Sequence, residues 1–573
     1  MRNRGPLTID WAAAPTRHKR YPSAERVRLP WTAATAPAGL DGPGLGGPGL
    51  GGPGLGGPGL GGAGLGGAGL GGAGLDGSGV GLLGELLRDL LGLTRIVWSH
   101  HLGDGGEPLG RPPMLLAGRP APSGGGLYPI EAYVAAREPH LPAALYHYDP
   151  VHHVLERVRG GDHVPALTGL LAGGTQADVV IVLSAVFWRS MFKYGDFGYR
   201  LICQETGVLI AQALAVGERL GVAGGAHLRF ADGQVDRLLG LDSTREATLA
   251  ALTLTLPPTT PHPSAPTFDE LMTRPVASES RPLPRALPSD GLAATLHRAC
   301  ALATPDPSAP ADGAPSHAPA AAPSNGASPH APAAARATDR PAMPAPPRPP
   351  VQATRPLPAL QPAPHLTAAV ARRASPIAGY RPVPLPAGAL GAVLAAACAG
   401  YPSDLPGTGT GPAATTVCVL SLRVDGLPRG AYWYDPTGHT LHESATSIDA
   451  VTTGSLLPNT RVALRGAAAV LIPVGDPVAG APTFGDRWYR MQQMEAGLIT
   501  QRAALAAAAL GLAARIHSDG ANETTDDVLG LARTPLRSLS FLVMGTPPTG
   551  GPLVTRPIPA PADEEVMDAS TTA

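Results

Sequence analysis

Two long apolar stretches dominate the pattern of the chain. Residues 199–220 and 489–510 are apolar on most faces at helical spacing, which predicts buried central helices rather than surface ones. Each follows a short β-branched run, 178–186 and 468–474, that reads as a buried strand. Upstream of the first run lie an amphipathic helix over 82–91, a strand over 131–136 and a hairpin over 145–158. Downstream come a short helix over 234–241 and a strand over 247–256. The second stretch has helical character over 367–374 and 387–399, strands over 416–424 and 536–544, and a hairpin from Ala431.

These patterns repeat. A separation of 290 residues, as from Tyr199 to Tyr489, superimposes Gly195, Asp196, Arg200, Glu205, Gly207, Leu220, Gly221, Leu239 and Gly240 on identical residues. In the hairpins the separation is 286, as from Tyr148 to Tyr434 and from Leu155 to Leu441. Self-similarity at this scale predicts a tandem duplication. Strands and helices are interspersed and joined by hairpins, so the expected class is α+β.

Two biased tracts separate the patterned parts, and they hold much of the 74 Gly and 66 Pro. From Leu40 to Leu75 leucine recurs every five residues among glycines, a period matching neither helix nor strand. Between Phe268 and Tyr380 there is no aromatic residue, and a stretch with so little to bury cannot offset its ordering entropy. The expected organisation is an N-terminal arm (1–35), a glycine-rich repeat (36–81), a first domain (82–256), a disordered Pro/Ala-rich linker (257–365), a degenerate second domain (366–547) and a tail (548–573). Asp290 to Leu302 is the part of the linker with helical character.

Charge and cysteine content narrow the chemistry. A formal net charge of −1 over 573 residues offers no nucleic-acid or anionic-membrane footprint. The four cysteines have no paired spacing, which fits a reduced cytoplasm without disulfides or zinc. No glycine-rich phosphate loop stands at a strand-to-helix junction, and no His/Cys/carboxylate set has metal spacing.

Five motifs then occur in order: Arg119-Pro-Ala-Pro122-Ser123-Gly124-Gly125-Gly-Leu-Tyr-Pro129, Tyr146-His-Tyr-Asp-Pro150, Lys193-Tyr194-Gly-Asp-Phe-Gly-Tyr-Arg200, the glycine-bearing helix, and Leu238-Leu-Gly-Leu-Asp242. Together they resemble the SagB/ThcOx-type (McbC-like) FMN-dependent dehydrogenases of the nitroreductase superfamily. The likeness is strong over about 110–256 and weaker over about 366–547. It implies two fused nitroreductase-like domains forming an intrachain pseudo-dimer through their central helices, with FMN in the groove between them.

The resemblance also implies the site. An Arg-Arg-x-Ser motif serves the FMN phosphate in this family, and here it is Arg372, Arg373 and Ser375, in the second half alone. The loop beneath the flavin would be Pro122, Ser123, Gly124 and Gly125, from the first half. Guanidinium pairs suit phosphate, and the glycines let backbone N–H groups approach closely. By themselves these residues equally suit a solvated helix start and an ordinary loop. Pro402-Ser403 is a poor loop equivalent, so one composite FMN site is expected.

Lys193 and Tyr194 match the catalytic pair of azoline-oxidising members. Aromatising the ring removes a proton from carbon and hands over a hydride, which needs a base, and a neighbouring ammonium favours a phenolate. Thr483 and Phe484 stand at these places in the second half. Asp196 and Arg200 recur in both halves and are read as structural, Asp196 as a helix cap. The expected function is oxidation of thiazoline or oxazoline rings in a ribosomally made precursor peptide, with a cyclodehydratase as partner and oxygen as electron acceptor. A nitroreductase or quinone reductase using NAD(P)H and a cofactor-free scaffold are the competing readings.

Overall fold

The computed structural model describes residues 9, 13–31, 78–99, 110, 112, 114–256, 265–304, 353–359, 363–376, 379–445, 447–454, 456–548 and 555–557. Residues 32–77, which hold most of the expected glycine-rich repeat (36–81), and residues 257–264, 305–352 and 360–362 of the expected linker (257–365) lie outside them. In chain order the first half carries β1 (Arg26–Arg28), β2 (Arg95–Ser99), β3 (Met114–Gly118), β4 (Ile130–Ala136), β5 (Ala144–Asp149), β6 (Val154–Gly160), β7 (Val179–Val186), β8 (Ala223–His227) and β9 (Glu246–Thr255). The second half carries β10 (Thr354–Pro356), β11 (Thr416–Ser421), β12 (Gly430–Asp435), β13 (Thr440–Ala445), β14 (Ala469–Gly475), β15 (Ala513–Ile516), β16 (Arg537–Ser538), β17 (Leu542–Gly545) and β18 (Thr555–Pro557).

The two large sheets run in matching order. One reads β1-β6-β5-β4-β7-β9-β8 and the other β10-β13-β12-β11-β14-β17-β15, with β16 added beside β14. Strands β4, β7 and β14 are buried along their whole length, which is why they read as continuous apolar runs rather than alternations. Buried contacts recur at the same separations as the sequence. Tyr148 and Tyr434 each pair their hydroxyl with a histidine Nδ1 five residues on, His153 and His439, at 2.9 Å. Asp236 accepts from Thr248 N, and Asp526 from Ser538 N.

The central helices Phe197–Leu220 and Arg487–Ala509 pack on each other, buried over most of their lengths. Their crossing needs two glycines. A Cβ on Gly207 would overlap the Met494 carbonyl, and one on Gly497 would overlap the Gln204 carbonyl. Amide pairs Gln204–Gln493 (2.8 Å) and Gln212–Gln501 (2.7 Å) flank this contact and satisfy polar groups that burial would otherwise strand.

The N-terminal arm lies on the first sheet, where Lys19 pairs with Glu246 at 2.6 Å and Glu279 at 3.0 Å. The helix expected from residue 82 starts earlier and spans Ser78–Leu91. The linker expectation needs a larger correction. Residues 265–304 are folded, with a capping box from Thr267 and Glu270 and a helix at Leu292–Ala299, and β10 joins the second sheet. Leu271, Leu287, Ala293, Ala294 and Cys300 are all buried, so a segment poor in aromatics still finds apolar surface to cover. Strand β18 pairs with β2, which pairs with β3 in a separate small sheet. Among the described residues no helix is long and apolar enough to cross a membrane.

Candidate functional site

Strand β3 ends at Gly118, and the loop to β4 makes a tight turn at Gly124–Gly126. Gly125 and Gly126 sit at φ 66° and 67°, a region that favours glycine, and Tyr128 follows at φ 48°. The loop is held from below by the first central helix. Ser123 Oγ donates to Glu205 Oε2 at 2.7 Å, Gly124 N donates to the same oxygen at 3.3 Å, and Ser123 Oγ accepts from Tyr128 N at 2.8 Å. The Ser123 hydroxyl is thus engaged within the loop and with Glu205. Burial pushes the Glu205 carboxyl up to about 7, against the pull of these two donors.

Lys193 and Tyr194 end the helix Trp188–Tyr194, just before the central helix. They stand against the glycine turn: a Cβ on Gly125 would lie 2.5 Å from the Tyr194 hydroxyl and 2.9 Å from Lys193 Nζ. Lys193 Nζ is 5.3 Å from the centre of the Tyr194 ring. The bare Gly125 therefore leaves room for both polar tips at one face of the loop.

The second half reaches the same loop. After the turn at Leu366–Ala369, Arg373 Nε donates to Pro120 O at 2.9 Å and Nη1 donates to Ser375 Oγ at 3.2 Å. Arg95 of β2 donates to the Arg373 carbonyl at 2.8 Å. Arg373 is buried and held down at about 9 by burial and then by Arg95. Arg372, expected to share the anion, is exposed. Among the described residues neither Arg95 nor Arg373 forms an ion pair with a carboxylate, so two buried guanidiniums lie together without a counter-charge. Buried Arg119 lies nearby, its guanidinium 4.6 Å from the Tyr128 ring centre, but Glu131 and Glu205 offset its charge, so it stands apart from the Arg95–Arg373 group. Such a group stores a demand for an anion. Half-buried Arg515 of β15 donates to Pro376 O at 3.2 Å and lies within the electrostatic reach of Tyr194.

The expected residues Pro122, Gly124, Gly125, Lys193, Tyr194, Arg373 and Ser375 thus converge. Glu205, Arg95, Arg119 and Arg515 were missed as site residues. Glu205 carried a signal in its recurrence as Glu495, which holds the Ala413–Thr415 backbone and hydroxyl in the second half. Arg95 and Arg515 carried none. Asp196 does not cap its own helix; it accepts from Ala293 N at 3.0 Å.

The model of the Nitroreductase family matches residues 113–254. That segment is a nitroreductase-family domain. Its sequence is similar to the microcin B17-processing protein McbC of Escherichia coli, 30% identical over 141 residues, covering 23% of this chain and 52% of McbC. A protein of Methanocaldococcus jannaschii named as a nitroreductase is 28% identical over 122 residues, 21% of this chain and 62% of that one. The chain therefore spans about half to three-fifths of the curated relatives it matches. A solved structure from Anabaena variabilis, also named as a nitroreductase, matches 95% of this chain and 96% of its own with a TM-score of 0.64 at 20% identity. It shows that the fold, second half included, is nitroreductase-like. The loop, Glu205 and the Lys193–Tyr194 pair all fall inside the nitroreductase-family domain, whereas Arg373 and Arg515 come from outside it.

Proposed function

We propose that this chain is an FMN-dependent oxidoreductase that oxidises thiazoline or oxazoline rings to thiazoles or oxazoles in a ribosomally made peptide. In this reading the two halves arose by tandem duplication and form an intrachain pseudo-dimer. Matching strand order and contacts at constant separation support it. The single observation that carries the reading is that Arg373, from the second half, donates to the loop against which Lys193 and Tyr194 pack. A cofactor groove and a base then share one place.

The residues fit an FMN. Arg373 and Arg95 supply uncompensated positive charge for its phosphate, with Ser375 beside them, and the Gly124–Gly126 turn offers a surface without side chains for a flat ring. Bound there, FMN would supply a two-electron acceptor. Tyr194, next to the Lys193 ammonium, would take the proton from ring carbon, the two-electron oxidation that makes the ring aromatic being the chemistry FMN would supply. Arg515 favours the anionic tyrosine. The azoline must come from a cyclodehydratase, which makes a peptide-modifying partner part of the proposal; the name of McbC, a microcin B17-processing protein, fits a peptide substrate. The cytoplasm, where thiols stay reduced, is the proposed compartment.

The test is to purify the chain and measure flavin absorbance and oxidation of an azoline peptide. A yellow protein that forms azoles supports the reading. A colourless one would make it a scaffold, and reduction of nitro compounds or quinones without azole formation would make it a reductase.

A further inference from the structure

The 290-residue separation relates the candidate site to a second cleft on the other side of the paired helices. We infer that the chain has closed this cleft with its own residues and uses it as a lock between the halves. The inference rests on the reading of the first cleft as a flavin groove.

At the places of Lys193 and Tyr194 the second half has Thr483 and Phe484. Phe484 is buried, stacked on Trp488 at 5.9 Å with an interplanar angle of 9°, and lies under the Arg229 guanidinium. At the 290-residue separation Pro122, Ser123 and Gly124 correspond to Pro412, Ala413 and Ala414, which Glu495 holds without a glycine turn, and the preceding residues 402–405 join the first half as chain. Ala226 N donates to Pro402 O at 3.0 Å and Asp404 N to Ala226 O at 3.1 Å. The Asp404 carboxylate then accepts from Leu228 N at 2.9 Å and Arg229 N at 2.8 Å. A buried carboxylate of the second half thus engages both N–H groups just past the end of β8.

The charges tell the same story. In the first cleft, among the described residues, neither Arg95 nor Arg373 pairs with a carboxylate. In the second, Asp232 of the first half receives both Arg487 (2.5 Å) and Arg490 (2.7 Å) of the second central helix. Burial opposes ionisation of Asp232, yet the two arginines hold it below the usual carboxylate range. Arg487 also donates to Leu228 O at 2.6 Å and Cys300 O at 2.9 Å. Two guanidiniums thus share one carboxylate there, where the Arg95–Arg373 pair has none among the described residues; Arg487 Nη2 and Arg490 Nε make no hydrogen bond.

The helix Leu292–Ala299, from the segment that composition marks as linker, completes the closure. It receives Asp196 at its start, and its His297 Nδ1 lies 3.2 Å from the Tyr199 hydroxyl and 3.3 Å from Arg490 Nη2. Beyond it, Cys300 Sγ donates to Asp486 O at 3.1 Å and Leu302 N to Asp232 at 2.9 Å. The segment thus straps the starts of both central helices, Asp196 on one and Asp486 on the other.

The experiment strips the full-length protein of flavin, restores it with excess FMN, and counts FMN per chain, alongside thermal unfolding of Asp404→Ala. One FMN per chain and a midpoint lowered by about 2 °C or more, with stoichiometry still one, are expected. Two FMN per chain would overturn the closed cleft while leaving the first-cleft reading intact. An Asp404→Ala midpoint equal to that of the wild type, or of an Asp527→Asn surface control, would overturn the lock. Zero FMN would instead overturn the first-cleft reading and the contrast built on it.

Discussion

Arg373 donates its Nε hydrogen to the carbonyl of Pro120, 2.9 Å away and 253 residues earlier in the chain. This contact ties the second half to the glycine loop of the first and sets a buried cation beside it, where the proposed function puts the FMN phosphate. Arg373→Ala should therefore weaken FMN binding about a hundredfold, the cost of a charge-assisted hydrogen bond to a phosphate. Arg372→Ala, at an exposed position, should weaken it far less. Fluorescence titration of apo protein with FMN measures both.

Tyr194→Phe and Lys193→Ala should lower azole formation by about 10²- to 10⁴-fold, the usual share of a positioned base. Flavin content should stay at the wild-type value, since neither variant removes a phosphate contact. Single-turnover oxidation of an azoline peptide, followed by flavin bleaching, separates the two effects; unchanged rates would sink the base assignment.

Glu205 gives a pH signature. Its folded carboxyl is raised to about 7 from 4.5, so the native state holds this proton more tightly than the unfolded chain. The associated stability is fully present below about 4.5 and is lost as pH rises through about 7, a change of about 3 kcal/mol. Glu205→Gln mimics the protonated group. The variant should therefore gain stability relative to wild type between pH 5 and pH 8, read as the difference in denaturation midpoints. A difference independent of pH would mean that Glu205 ionises normally.

Gly207→Ala and Gly497→Ala should each destabilise the chain by about 1–3 kcal/mol, because the new methyl meets a backbone carbonyl that cannot rotate away. Urea unfolding would show it. Alanine at Gly233, where nothing lies within 4 Å, should cost little and serves as the control.

Breaking the second cleft from its acidic side should be expensive. Asp232→Ala leaves Arg487 and Arg490 buried and unpaired, a loss of about 3–5 kcal/mol. Calorimetry should show a lower midpoint, with the flavin count unaltered.

Much of this organisation was written in local patterns. The runs at 178–186 and 199–220 became β7 and a central helix because their apolar residues exceed what a surface element would carry. The identities 290 residues apart marked the two bodies, and the order of motifs marked the loop, Lys193, Tyr194 and Arg373. What failed did so for a shared reason. Residues 265–304 look unable to bury anything, yet they cover surface that the rest of the fold supplies. Strands β8 and β15 are too short and too rich in alanine and glycine to announce themselves.

The sequence by itself set out the two apolar runs, the identities between them and the chemistry-bearing dipeptides, because periodicity and spacing are properties of neighbouring residues. Only the tertiary structure decided that Arg373 rather than Arg372 faces the loop, that Ser123 spends its hydroxyl on Glu205, and that Asp404 and Asp232 close the opposite cleft. Those choices depend on partners 82 to 258 residues away, and no local pattern encodes which distant carboxylate or carbonyl a buried polar group will meet.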